Sequence, residues 1–109
     1  MSNIVVSPHS LSTLAGIKIL RNGGNAIDAA IATNIVQGVV APETCGIGGD
    51  LFALIWMNGE TKPYCLDSSG YAGSNVDISS LSSYSDIPLD HPMSVTVPGA
   101  VRGLSLIHI

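Results

Sequence analysis

The sequence predicts an α/β chain, mixed rather than all-helical or all-strand (α+β in layout), and three observations carry that reading. Two stretches with helical spacing and helix-end residues meet at Gly23-Gly24. Two apolar runs flank Asn58-Gly59, the strongest short signal for a β-hairpin. Finally, 46% of the 109 residues are hydrophobic and 11% are charged, the composition of a packed interior and too apolar for disorder.

In order along the chain, Ile4-Val5-Val6 is a β-branched run ended by Ser7-Pro8 and is expected as a short strand. Ser10 or Ser12 then stands where a helix N-cap belongs, ahead of Leu11, Leu14, Ala15 and Ile17. Lys18 and Arg21 fall in the last turn of that helix, where its dipole favours cations, and Gly23-Gly24 closes it. Asn25 caps a second helix with Asp28 in its first turn. Apolar residues from Ala26 to Val36 surround nearly its whole circumference, so burial on several sides is expected. Pro42 stops it, and Thr44 to Asp50 follows as a glycine-rich loop. Leu51–Met57 and Thr61–Leu66 form the hairpin around Asn58-Gly59. Ser68 to His91, rich in Ser, Gly and Asp, reads as surface loop with one short helix near Ser79–Ser85. Ser94–Val97 reads as an edge strand, and Pro98-Gly99 as a new turn.

Composition also excludes. Lys18, Arg21, Lys62 and Arg102 are scattered against eight acidic residues, giving a net charge of −4, so no basic stripe exists for nucleic acid. The longest apolar stretch, Ala26 to Val40, is interrupted by Asp28, Asn34 and Gln37, whereas a membrane span needs about 20 nearly unbroken apolar residues. Met1-Ser-Asn lacks the basic start of a signal peptide, and the compartment stays open. Cys45 and Cys65 have neither C-x-x-C spacing nor a nearby His pair, so no metal site is expected; a single disulfide and two buried free thiols both remain open, the thiols being the commoner state.

Candidate motifs each have a plain structural reading. Gly46-Ile-Gly48-Gly49 lies between a helix and a strand, the reverse of the order in a dinucleotide fingerprint, and the Walker lysine is absent; close backbone packing at the junction is the expected role. Asp28 serves as a helix N-terminal anion. Asp50 and Asp67 are strand-end hydrogen-bonding residues that nothing in the sequence pairs. His9 and His91 sit in turns beside or near prolines, without a partner at catalytic spacing.

Leu20-Arg-Asn-Gly-Gly-Asn-Ala-Ile-Asp-Ala-Ala30, Cys45-Gly-Ile-Gly-Gly-Asp50 and Val97-Pro-Gly-Ala-Val101, in that order and at these separations, resemble three motifs of the γ-glutamyltransferase (glutathione hydrolase) family. The resemblance runs from about Val5 to Gly103. It implies a partial N-terminal-nucleophile hydrolase αββα sandwich, the first part of a large subunit cut from a self-processing precursor. The partners it implies are the remaining large subunit, the small subunit and γ-glutamyl small molecules. The family's nucleophile is a threonine freed at the start of the small subunit. Thr13, Thr33, Thr44, Thr61 and Thr96 match no part of that motif, so no catalytic residue carries over, and no cofactor is called for. This chain alone is therefore expected to be inactive. A non-catalytic scaffold or binding relative of the same fold is the alternative.

Many members hold the substrate α-carboxylate with one arginine just after the second strand, in a segment like L-D-G-R-E-T-A-P. The matching segment here is Leu66-Asp-Ser-Ser-Gly-Tyr-Ala-Gly73, so Ser69 stands in the arginine's place; in a divergent branch the arginine follows a serine-glycine pair, where this chain has Tyr71. Ser69 and Tyr71 are the candidate substrate-binding positions, and a hydroxyl cannot make a guanidinium's forked, charge-assisted contact. Weakened or altered carboxylate binding is expected.

Residues 1–103 are thus expected to be the family-like piece. Leu104-Ser-Leu-Ile-His-Ile109 is what CTG-TCT-CTT-ATA-CAC-ATC encodes, a string found in transposon ends used for sequencing libraries, and these six residues are expected not to be native.

Overall fold

In a computed structural model, which describes residues 3–109, helix α1 (Ser10–Arg21) begins at a histidine cap. The Met1-Ser2 part of the start judged above for a leader lies outside the described residues. His9 Nδ1 accepts the Leu11 N–H at 3.2 Å, in place of the expected Ser10 or Ser12 cap. Ser12 is instead fully buried one turn in, its Oγ 2.6 Å from Gln37 Oε1. The other end of α1 closes as expected. Gly23 takes φ of +88°, its N–H reaches Leu20 O, and the Gly24 N–H reaches Ile19 O, the paired bonds of a Schellman stop.

Helix α2 (Ala26–Val40) starts at Asn25, whose Oδ1 accepts the Asp28 N–H at 2.9 Å, and stops two residues before Pro42. It packs on α1 where Gly16 lets the backbones approach: a Cβ there would meet Thr33 Oγ1 and the Ala29 carbonyl. The expected burial on several sides is not met within this chain, because Ile35 and Val39 stay 52% and 76% exposed.

Strands β1 (Leu51–Ile55) and β2 (Tyr64–Ser68) pair antiparallel, from Leu51 opposite Ser68 to Ile55 opposite Tyr64. Pairing is shorter than the sequence suggested. Gly59 has φ of +88° and Glu60 N–H bonds Met57 O, but Asn58 keeps negative φ, so the primed turn that would close a tight hairpin is not formed. Pro63, with no N–H to give, further limits the ladder.

No strand forms at Ile4–Val6, because an extended run needs a neighbour to take its N–H and C=O groups and none lies beside it among the described residues. The Ser94–Val97 edge strand is absent for the same reason. Ser94 closes a 3₁₀ turn (Pro92–Ser94), and Val97 makes a single bond, from its N–H to Tyr71 O at 2.8 Å. The short helix expected near Ser79–Ser85 is a 3₁₀ turn at Ile78–Leu81, capped by Asp77.

Helix α3 (Ala100–His108) seats on the hairpin and on α2. Its first N–H groups, from Gly99 and Ala100, donate to Gly49 O at 3.1 and 2.9 Å, and Gly103 rests against Leu51 and Ser68. In the glycine loop the close-packing expectation is not met at the side-chain positions, since a Cβ at Gly46, Gly48 or Gly49 would meet nothing; the crowded glycines are Gly16, Gly24, Gly70, Gly99 and Gly103. Both cysteines are free, and Cys65 is exposed rather than buried because it faces the open side of β2 opposite Leu54.

Little of this is core. Ala29 and Ala100 are the buried apolar residues among those described. The accessible surface is 8229 Å², against ~5,700 Å² for a compact protein of this mass. The radius of gyration is 17.1 Å, where a compact domain of this length has about 13 Å. Among the described residues, no helix is long and apolar enough to cross a membrane.

Candidate functional site

The corner after β2 is built by two carboxylates, Asp50 and Asp67, that no spacing in the sequence pairs. Asp67 Oδ1 accepts the Ser69 N–H at 2.9 Å, a local turn typical of Asp at a strand end. Asp50, arriving from the glycine loop, accepts the next N–H, that of Gly70, at 2.7 Å, and the Thr96 hydroxyl at 3.2 Å, both on Oδ1. Tyr71 O then takes the Val97 N–H. Gly70 is required at the centre, because any Cβ would run into Val97 O and the Thr96 side chain. Beneath, the buried Ser68 donates to Gly99 O at 2.8 Å and ties the corner to the start of α3.

This framework leaves Ser69 exposed and Tyr71 85% exposed, two positions apart on a braced backbone. The Ser69 hydroxyl, and then its backbone N–H, hold the Asp67 carboxyl below its usual 3.8. Neither Asp50 nor Asp67 has a cationic partner among the described residues, where the one His–carboxylate contact at such range is His108 Nδ1 to Asp28 Oδ1 at 3.6 Å. The corner therefore offers neutral donors, a hydroxyl and a phenol, beside fixed negative charge. Each can give one hydrogen bond to an oxygen anion, without a guanidinium's charge.

The glycine loop borders a cavity of about 410 Å³ lined by Asn34, Thr44, Cys45, Asp50 and Ala100 among others. Asn34 Nδ2 lies 3.6 Å from Cys45 Sγ. Among the described residues, no three His, Cys, Asp or Glu side chains converge as a metal set would. His9 and His91 are both half-buried turn caps. His91 Nδ1 accepts the Met93 N–H at 3.1 Å, and its ring stands edge-on to Tyr84. Thr96, which sequence reasoning left aside, proves to be part of the corner. Its link to Asp50 spans 46 residues, and no local pattern signals it.

The sequence model of the family described as Gamma-glutamyltranspeptidase matches residues 12–109. The glutathione hydrolase-like YwrD proenzyme of Bacillus subtilis is 41% identical over 90% of this chain, and the oxamate amidohydrolase proenzyme of Klebsiella pneumoniae is 39% identical over 92%. The chain spans 19% of the length of each of these relatives. Among solved structures, the gamma-glutamyltranspeptidase of Pseudomonas nitroreducens complexed with L-DON superposes with a TM-score of 0.88 at 30% identity, over 98% of this chain and 33% of that one. The two helices and the hairpin are thus part of an N-terminal-nucleophile hydrolase fold, as the sequence predicted.

Proposed function

Because the chain belongs to the gamma-glutamyltranspeptidase family, we propose that it is the opening part of a precursor whose complete form cleaves or transfers γ-glutamyl groups, and that alone it is inactive. The observation that carries this is a family match over residues 12–109 in a chain spanning only 19% of its relatives' length. The sparse core and large surface support it, since these elements need the rest of a sandwich to bury them. In the proposed reaction a threonine outside these residues, freed by self-cleavage, adds its hydroxyl oxygen to the γ-glutamyl carbonyl. Its proton passes by way of the new α-amine to the departing amine, leaving an ester. Water or an amino acid's amine then attacks the ester, releasing glutamate or a new γ-glutamyl amide and restoring the hydroxyl. Ser69 and Tyr71 would meet the substrate α-carboxylate, weakly for want of an arginine. Residues 104–109 form no part of this proposal, and comparison of the source nucleotide read with genomic DNA tests whether they are native.

A second reading, a scaffold without catalysis, is favoured by that same absence of arginine at the corner. Expressing the complete reading frame decides between them. Self-cleavage before a threonine, with release of p-nitroaniline from γ-glutamyl-p-nitroanilide, is expected; an uncleaved, inert product would overturn the enzyme reading.

A further inference from the structure

We propose that Asp50 is a positioning residue for substrate recognition, setting the Ser69–Tyr71 corner from a distance; this deepens, and rests on, the reading just given. The corner's two braces differ in reach. Asp67 holds a neighbour two residues away, a turn that the local chain makes by itself. Asp50 instead reaches Gly70, twenty residues on, and Thr96, forty-six residues on, through a single oxygen, so it alone gathers three separate segments. The carboxylate is exposed and has no cationic partner among the described residues, so ion pairing does not explain its presence there. Its hold falls on the one residue, Gly70, that lies between Ser69 and Tyr71 and that closely abuts Val97 and Thr96. Loss of the acceptor frees both the Gly70 N–H and the Thr96 hydroxyl. The chain between the two candidate contacts can then swing, and recognition suffers with no reacting group removed.

An oxygen acceptor, not a charge, is what this role requires. Asparagine keeps Oδ1 and should preserve the brace, whereas alanine should abolish it. Asp50→Ala and Asp50→Asn are compared with wild type in the complete, processed precursor. One substrate is γ-glutamyl-p-nitroanilide; the other is 4-aminobutyryl-p-nitroanilide, which lacks the α-carboxylate. Expected for Asp50→Ala is a KM about tenfold higher for the first substrate with kcat little changed. No such rise is expected for the second substrate, and Asp50→Asn should recover most of the loss. Amide hydrogen exchange across residues 69–71 should quicken in Asp50→Ala and not in Asp50→Asn. Equal KM changes on both substrates, a fall confined to kcat, or unchanged exchange in Asp50→Ala overturns the proposal. Should wild type turn over neither anilide, the γ-glutamyl reading fails by itself, and the exchange measurement alone then upholds or overturns the brace.

Discussion

Gly16→Ala sets two helix effects against each other. Inside an exposed helix the change would stabilise by about 1 kcal/mol, since alanine loses less backbone freedom on folding. At this crossing the new methyl would press on Thr33 Oγ1 and lie 2.8 Å from Val5 Cγ1 and 3.2 Å from the Ala29 carbonyl oxygen. Val5 can yield, but the carbonyl belongs to α2's backbone. Thr33 can rotate away only by giving up its 2.7 Å bond to that same carbonyl. Overpacking of this kind costs ~1–3 kcal/mol, and the surrendered hydrogen bond about 1 kcal/mol more. The net expectation is destabilisation by ~1–3 kcal/mol, several degrees in a thermal melt of the complete precursor. In a Thr33→Ala background, where the obstructing hydroxyl is gone, the same change should cost about 1 kcal/mol less. A rise in melting temperature for Gly16→Ala alone, or strict additivity with Thr33→Ala, would refute the claim that this glycine sets the α1–α2 spacing.

Residues 1–103 expressed alone should aggregate or remain molten, with Phe52, Leu54, Trp56 and Val39 all more than half exposed; a cooperative, monomeric unfolding transition would contradict this. The Asp67 turn carries a pH dependence of definite sign. Its folded carboxyl titrates below 3.8, so its contribution is complete above that value and is lost only as pH falls through the lowered one. The Ser69 amide shift should accordingly move at a pH below 3.8, and Ser69→Ala should bring the midpoint back toward it; a wild-type midpoint at or above 3.8 speaks against the turn. Ser69→Arg should lower KM for γ-glutamyl-p-nitroanilide about tenfold if the corner meets the α-carboxylate, and an unchanged KM argues that it does not.

What the sequence revealed correctly is what neighbouring residues decide. The Asn25 cap, the Gly23-Gly24 stop and the end of α2 before Pro42 each involve bonds or steric limits within a few residues, and each stands where the spacing placed it. The misreadings share a different physics. Ile4–Val6 and Ser94–Val97 have strand-like composition, but a strand is defined by its neighbour, and among the described residues no strand pairs with either. Asn58-Gly59 kept its turn and lost its tight hairpin, because Pro63 and the pairing from Ile55 to Tyr64 set the register instead. His9 displaced the serines as the cap of α1 once Ser12 was drawn into the interface with Gln37. At the candidate corner, the family-like order of residues proposes Ser69 and Tyr71, whereas Asp50 and Thr96 join them only through contacts that no spacing rule anticipates.

The same distinction explains why so apolar a chain buries so little. On β1 the side chains alternate, with Leu51, Ala53 and Ile55 half-buried on the face bearing α3 while Phe52 and Leu54 point away into the open. A strand that faced water on its outer side would carry polar residues there. Apolar residues on both faces are instead the pattern of a sheet covered twice, and α2, apolar around most of its circumference yet open at Ile35 and Val39, repeats that pattern. Two elements far apart in sequence, each with one covered and one bare apolar side, are hard to reconcile with a self-sufficient domain. On the proposed reading, they are the open faces that the remaining layers of a sandwich would cover.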